Sequence, residues 1–269
     1  MYLSHWGLVE SPFRSRLAAR YFYPSPTHEE ALARLQFVVE EGHRVGLLMG
    51  DTGSGKSLVL EVFAAQRRSA GRPVVKISLL GMDRLELLCS VSTELGTCPR
   101  APLAFSSLWR GVSDRLVENR YQGLETVLLL DDADRAGRDV LAQVARLANH
   151  DLTPDSRLTI VLAGRRERMG RLGHALLELA ELRIDLEAWE PSDTESYLKA
   201  SLAQAGRTAA VFDDAAVARL HELARGGPRR VARLADLALV AGAGRKLDSI
   251  DVETVESVCH ELGVIGVEG

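Results

Sequence analysis

Residues Gly50–Ser57 read GDTGSGKS. The stretch fits the pattern GxxxxGK[ST], and its surroundings are the ones that pattern requires: an apolar run, RVGLLMG, precedes it as a strand, and a helix opens at Lys56 and runs to about Arg68. The chemistry follows from the residue types. Gly50, Gly53 and Gly55 let the backbone of Asp51, Thr52 and Ser54 curl so that its N–H groups surround phosphate oxygens. The helix that starts at Lys56 adds the partial positive charge of its N-terminus. Lys56 reaches the outer phosphates as a point charge, and the Ser57 hydroxyl suits a magnesium ion. Only four of the chain's 33 lysine and arginine residues are lysines, at Lys56, Lys76, Lys199 and Lys246, and one of them stands here. Arginine is too broad and planar for that position.

A phosphate loop of this kind needs a carboxylate at the tip of a neighbouring strand. VLLLDDADR, residues 127–135, supplies two. Asp131 ends the apolar run and is the expected magnesium carboxylate; alone it would read as an ordinary polar cap. Asp132 is the candidate general base for a water molecule, against the plainer reading of a solvated acid. Asp134, two positions on, fits an interface residue as well. A strand lies in the chain between the loop and these carboxylates, an arrangement typical of ATPases that polarise a water.

The 269 residues suffice for one large domain or for a core with a smaller companion. Hydrophobic residues make up 46% and charged residues 26%, with a net charge of −4, which argues against a surface that is basic throughout but leaves room for a local basic face. No apolar run reaches the roughly 18 residues of a membrane span. The opening MYLSHWGLVESPF lacks the basic start and long apolar stretch of a signal peptide. Cys89, Cys98 and Cys259 form no CxxC pair and read as reduced thiols of a cytoplasmic protein.

Residues 1–27 read as irregular. THEEALARLQFVVEEG follows as a helix with Thr27 as N-cap and Gly42 as its stop. Strands are expected at 44–50, 73–79, in ETVLLLD, at 157–164 and within ELRIDLEAW. Helices lie between them, two at about 83–95 and 106–119 flanking the loop GTCPRAP, and one in RDVLAQVARLAN. Strands apolar on both faces and alternating with helices predict an α/β fold with a parallel sheet sandwiched by helices. After Pro191 four helical patterns follow, predicting a C-terminal all-helical lid. The expected division is 1–190 for the nucleotide-binding core and 191–269 for the lid.

GGPRRVARLAD, residues 226–236, opens one lid helix. Pro228 fixes its start, so Arg229 and Arg230 both sit in the first turn, against the helix dipole. A γ-phosphate would balance them; a solvated face is the bland alternative. GRRERMGR, residues 164–171, puts Arg165, Arg166, Arg168 and Arg171 after the fourth strand. It suits a phosphate-sensing tip, a subunit contact, a DNA-facing patch, or simply a solvated basic helix start.

Taken together, these stretches resemble an AAA+ ATPase, a P-loop NTPase, and within it the ExeA/GspA-like secretion ATPases and their relatives among the TniB/MuB/TnsC-like transposition ATPases. The resemblance spans nearly the whole chain: MYLSHWGLVESPF and YFYPSPTHEEALARL, GDTGSGKS as Walker A, VLLLDDAD as Walker B, IVLAG leading to sensor 1, RIDLEAWEPSDTESYLKASLAQAGR entering the lid, and GGPRRVARLADLAL as the sensor 2 helix. It implies ATP and Mg2+ held by Lys56, Ser57 and Asp131, and Arg229 as sensor 2. It also implies Tyr23 and His28 beside the adenine, and Arg183 as an arginine finger reaching the next subunit's site. Self-association into a ring or helical filament is implied as well, as is an unidentified protein partner. The chain departs from the pattern in three places. Walker B is Asp–Asp rather than Asp–Glu, as in bacterial replication-initiator ATPases, which implies slow hydrolysis. Arg165 stands at the polar sensor 1 position. The sequence stops at Gly269, where ExeA-like secretion proteins continue into a membrane span. The expected activity is therefore an ATP-driven switch acting on a protein partner. The alternatives are an ATP-dependent filament on DNA and a nucleotide-bound scaffold that does not hydrolyse; a nucleotide kinase fits the lid least well.

Overall fold

The computed structural model describes residues 2–14, 18–97, 104–153 and 155–265; Cys98 and most of the GTCPRAP loop lie outside them. In chain order the elements are α1 (Tyr2–Trp6), a 3-10 turn (Ala19–Tyr21), α2 (Pro26–Glu40), β1 (Val45–Gly50), α3 (Lys56–Ser69), β2 (Val74–Ser78), α4 (Arg84–Glu94), α5 (Phe105–Tyr121) and β3 (Thr126–Asp131). A second 3-10 turn (Ala133–Arg135), α6 (Arg138–Ala148), β4 (Leu158–Gly164), a third 3-10 turn (Arg166–Leu172), α7 (His174–Glu178) and β5 (Ala180–Leu186) follow. The chain ends in α8 (Pro191–Gln204), α9 (Asp214–Ala224), α10 (Pro228–Arg245) and α11 (Val252–Ile265). No described helix is long and apolar enough to cross a membrane.

Two compact units account for these elements: Leu17–Thr52 with Lys56–Leu186, and Met1–Arg16 with Gly53–Gly55 and Glu187–Gly269. The first is the expected α/β sandwich. Its five strands are all parallel in the order β2-β3-β4-β1-β5. Because side chains alternate across a strand, Leu47 and Met49 face one side with Leu128, Leu130, Ile160 and Leu162, covered by α4, α5 and α6. Leu48 faces the other with Leu129 and Val161, covered by α2 and α3 through Leu35, Val38, Leu60 and Phe63. At Gly46 a Cβ would stand 3.3 Å from Val38, so the glycine lets α2 lie close against β1. β5 departs from the two-sided apolar reading: Glu181, Arg183 and Asp185 are exposed, because this strand has a neighbour on one side only. α2 begins two residues earlier than expected. Pro26 occupies its first turn and Ser25 is the N-cap, its hydroxyl engaged by His28 rather than by the backbone.

The second unit contains the four predicted helices and also the N-terminal residues, so the packing boundary differs from a cut at 190. Trp6 is 1% exposed; its indole N–H donates to Leu239 O at 2.8 Å, and Arg207 donates to Trp6 O at 2.8 Å. Gly242 makes room for it, since a Cβ there would lie 2.3 Å from Ile250 and 3.0 Å from the Trp6 ring. Ser11 donates to Asp236 at 3.0 Å, and Phe13 meets the Tyr197 and Phe212 rings at 5.9 and 6.2 Å. The stretch read as irregular is thus anchored by its aromatics, around a five-residue helix too short to show a period.

Leu129 is fully buried, so Leu129→Ala should lower stability by about 2–5 kcal/mol, read from urea midpoints, while Tyr121→Ala, at an 80% exposed position, should change little. A pH-dependent counterpart lies in the helical unit. Burial pushes the Tyr197 hydroxyl up to about 12 from 10.0, with the Asp236 charge adding to the rise and a hydrogen bond with Ser201 opposing it. A raised acid favours its neutral form in the fold, so the stability it contributes is complete below pH 10.0 and is lost as pH rises toward about 12. Tyr197→Phe should flatten that alkaline loss in a thermal-melt series.

Candidate nucleotide site

β1 delivers the chain to Gly50, and the loop turns through two left-handed glycines, Gly53 at φ 83° and Gly55 at φ 101°, before α3 opens at Lys56. A side chain at either position would be strained. Lys56 Nζ donates to the carbonyls of Gly50 at 2.7 Å and Asp51 at 2.8 Å, which tethers the ammonium over the loop it must serve. Asp51 and Thr52 are exposed, Ser54 is buried and Ser57 is half-buried. Within the helical unit, to which Gly53–Gly55 groups, Arg229 N–H donates to Gly53 O at 3.2 Å. A Cβ at Gly53 would stand 3.0 Å from Arg229 Cβ, so this glycine is also demanded by a close approach.

The sheet order places β4 between β1 and β3. Since all three are parallel, Gly50, Asp131 and Gly164 finish at the same edge. Asp131 is 8% exposed; its Oδ1 accepts from Asp132 N–H at 2.9 Å and its carbonyl accepts from Leu79 N–H at 2.9 Å. Asp132 sits in the left-handed region at φ 54°, ψ 30°, where Asp is better tolerated than most side chains, and its Oδ2 accepts from Ser78 Oγ at 2.9 Å. Neither the conformation nor the Ser78 partner was legible beforehand. The signal for Ser78 was present, however, because Ser78 ends the strand in register with Asp131.

Asp134 is not a surface residue. It is 3% exposed and accepts from Arg165 Nε at 3.0 Å. Gly164 permits the contact, since a Cβ there would lie 2.9 Å from Asp134 Oδ1 and 2.9 Å from Met169 Sδ. The cation at the expected sensor 1 position is therefore already neutralised. Its neighbour Arg166 pairs with Asp185 at 3.2 Å, so two of the four arginines of GRRERMGR are committed to intramolecular pairs.

Arg183 lies on the exposed edge strand opposite Leu47, with Nη2 at 3.7 Å from Met49 Sδ. His28 is 4% exposed, its Nδ1 2.6 Å from Ser25 Oγ and its ring edge-on to Phe22; Tyr23 is half-buried just before it. His28 thus supports the segment ahead of α2 from inside. Among the described residues no group of three or more His, Cys, Asp or Glu forms a metal cage. Magnesium asks for less than that: one carboxylate and one hydroxyl, the remaining positions going to phosphate oxygens and water. Asp131 and Ser57 are chemically suited to it.

Comparison with known proteins agrees with this geometry. Residues 39–172 match the family described as AAA domain. General secretion pathway protein A of Aeromonas hydrophila is 29% identical over all of this chain, which spans half the length of that relative. Among solved structures, Cdc6p from Pyrobaculum aerophilum superposes with a TM-score of 0.73 at 17% identity, covering 97% of this chain and 75% of that one. The Aeropyrum pernix ORC1 protein in complex with DNA gives 0.67 at 21%, covering 91% and 68%. The Thermotoga maritima RuvB Holliday junction branch migration motor gives 0.61 at 19%, covering 93% and 73%. The chain thus has the AAA+ fold, matches the family described as AAA domain over residues 39–172, and is similar to General secretion pathway protein A.

Removing the carboxylate from Asp134 strands a guanidinium in a mostly closed pocket. Asp134→Ala should cost about 3 kcal/mol in chemical denaturation, whereas Asp134→Leu combined with Arg165→Met should recover much of the loss.

Proposed function

We propose that the chain binds and slowly hydrolyses ATP with Mg2+ as a switch that self-associates and acts on a protein partner. The observation that carries this reading is the edge where the phosphate loop of β1 and the Asp131–Asp132 tip of β3 flank the tip of β4. Lys56 would leave its two loop carbonyls for the β- and γ-phosphates, while the N–H groups of Gly50–Ser57 cradle the remaining oxygens. Ser57 and Asp131 would hold Mg2+, which screens the phosphate charge. Asp132 would accept a proton from the attacking water, its carboxylate steered by Ser78. Arg229 would report the γ-phosphate to the helical part, and Arg183, exposed on the edge strand, would complete the site of an adjacent subunit in a ring or filament.

Tyr23 and His28 would flank the adenine, His28 by holding the segment and Tyr23 by contact. Residues 1–190 and 191–269 remain the functional division we propose. Free Cys89 and Cys259 fit a reducing compartment such as the cytoplasm. A second reading, ATP-dependent assembly on DNA, draws support from exposed arginines such as Arg135, Arg138 and Arg171, and would show as nucleotide-dependent DNA binding that weakens steeply with salt.

The test is ATP turnover per subunit against protein concentration. Turnover should rise with concentration in the wild type, fall by about a hundredfold or more in Asp132→Ala, and disappear with nucleotide binding in Lys56→Ala. A rate independent of concentration and untouched by Asp132→Ala would refute both self-completion and the role of Asp132.

A further inference from the structure

Between α6 and the segment running from the third 3-10 turn into α7 lies a groove of about 660 Å³. Small side chains, Ala142, Ala145 and Ala175, leave room along it, and Leu141, Leu172 and Leu176 form its apolar base. Its rim carries Arg135, Arg138 and Arg171, all exposed. None of the three guanidiniums makes an ion pair or side-chain hydrogen bond among the described residues. Arg67, Arg120, Arg165 and Arg166 of the same unit are, by comparison, each paired with a carboxylate. Three cations thus stand around an aliphatic trough with no ion pair of their own among the described residues, the Asp139 carboxylate lying against Gly137 on the same rim.

We propose that this groove binds an acidic amphipathic helix of a partner protein, with aliphatic side chains on the Ala142, Ala145 and Ala175 floor and carboxylates on the three rim arginines. Charge complementarity and the shape of the floor select this occupant. A nucleic-acid backbone would satisfy the arginines but has no aliphatic face for the trough. A neutral apolar helix would fill the trough but leave the arginines unmatched. The eleven residues of α6 span about 16 Å, the length of a three-turn partner helix laid alongside. The inference rests on the proposed action on a protein partner and gives that partner its chemistry. The two walls of the groove also begin at the Asp134–Arg165 pair, which joins the turns leading into α6 and α7.

The experiment uses the full chain and fluorescence anisotropy with a labelled synthetic peptide of roughly 15 residues, about 22 Å as a helix, with leucines on one face and glutamates on both flanks. Binding should weaken as salt rises and fall about tenfold or more in Arg138→Glu with Arg171→Glu. It should fall similarly in Ala145→Arg, which fills the floor. All three positions are solvent-facing or half-buried, so folding and nucleotide binding, followed in the same samples with a labelled ATP analogue, should be unchanged. Loss of nucleotide binding in the wild type would overturn the ATPase reading while leaving the peptide result standing. The groove proposal is overturned if the peptide with lysines in place of glutamates binds equally well, or if the charge-reversed variant keeps full affinity. It is also overturned if duplex DNA outcompetes the acidic peptide at this site, or if the variants abolish self-association instead.

Discussion

A parallel strand cannot be followed directly by its parallel neighbour; the chain must return along a crossover before the next strand starts. That constraint organises most of the α/β unit. It puts helices on both faces, makes β1, β3 and β4 apolar on both sides, and brings the strand ends to one edge. With β4 inserted between β1 and β3, that edge becomes a row: the loop after Gly50, Arg165 after Gly164, and the paired aspartates after Leu130. Polar chemistry can stand there because the strands beneath are locked by aliphatic packing on both faces, which fixes where each tip points.

Residues with chemistry at their tips also show how charge is managed in that row. Four ionisable side chains, Asp131, Asp132, Asp134 and Arg165, occupy the ends of two adjacent strands. Asp134 and Arg165 cancel each other in a mostly closed contact. Burying one charge alone would be costly, and pairing removes most of that cost. The net carboxylate character of the edge therefore rests on Asp131 and Asp132, the proposed magnesium carboxylate and the candidate base. Arg135, Arg138 and Arg171 are left outside that cancellation and line the groove instead.

Much of this was legible because the signals were local. The glycine and lysine spacing of 50–57, the apolar runs of β1, β3 and β4, and Pro228 at the start of α10 each dictate backbone geometry within a few residues. The misses were of another kind. α1 is one turn and a half and has no period to read. Its role depends on Trp6 reaching Leu239, more than two hundred residues away. Thr27 looked like the N-cap because Thr caps well, but Pro26 supplies a preset φ one residue earlier and Ser25 takes the boundary. Asp134 read as an interface residue because its partner cation, Arg165, follows the neighbouring strand β4, 31 residues on. Such pairings belong to the tertiary fold, and no spacing in the chain announces them.

The choice of Asp over Glu at 132 gains a physical reason from the backbone. The residue leaves the strand in the left-handed region, a turn that lets the chain enter the 3-10 turn at Ala133. Asp accepts that conformation at lower cost than a longer unbranched side chain, because its short carboxylate can bond locally. Here the local partner is Ser78, at the tip of the adjacent strand. A glutamate would reach one methylene farther toward a water but would give up both the tolerated backbone and the short hydrogen bond that aims the carboxylate. The shorter acid is thus coupled to Ser78: the pair trades reach for orientation. It also means that Ser78, a residue of β2 with no motif of its own, takes part in setting where the candidate base points.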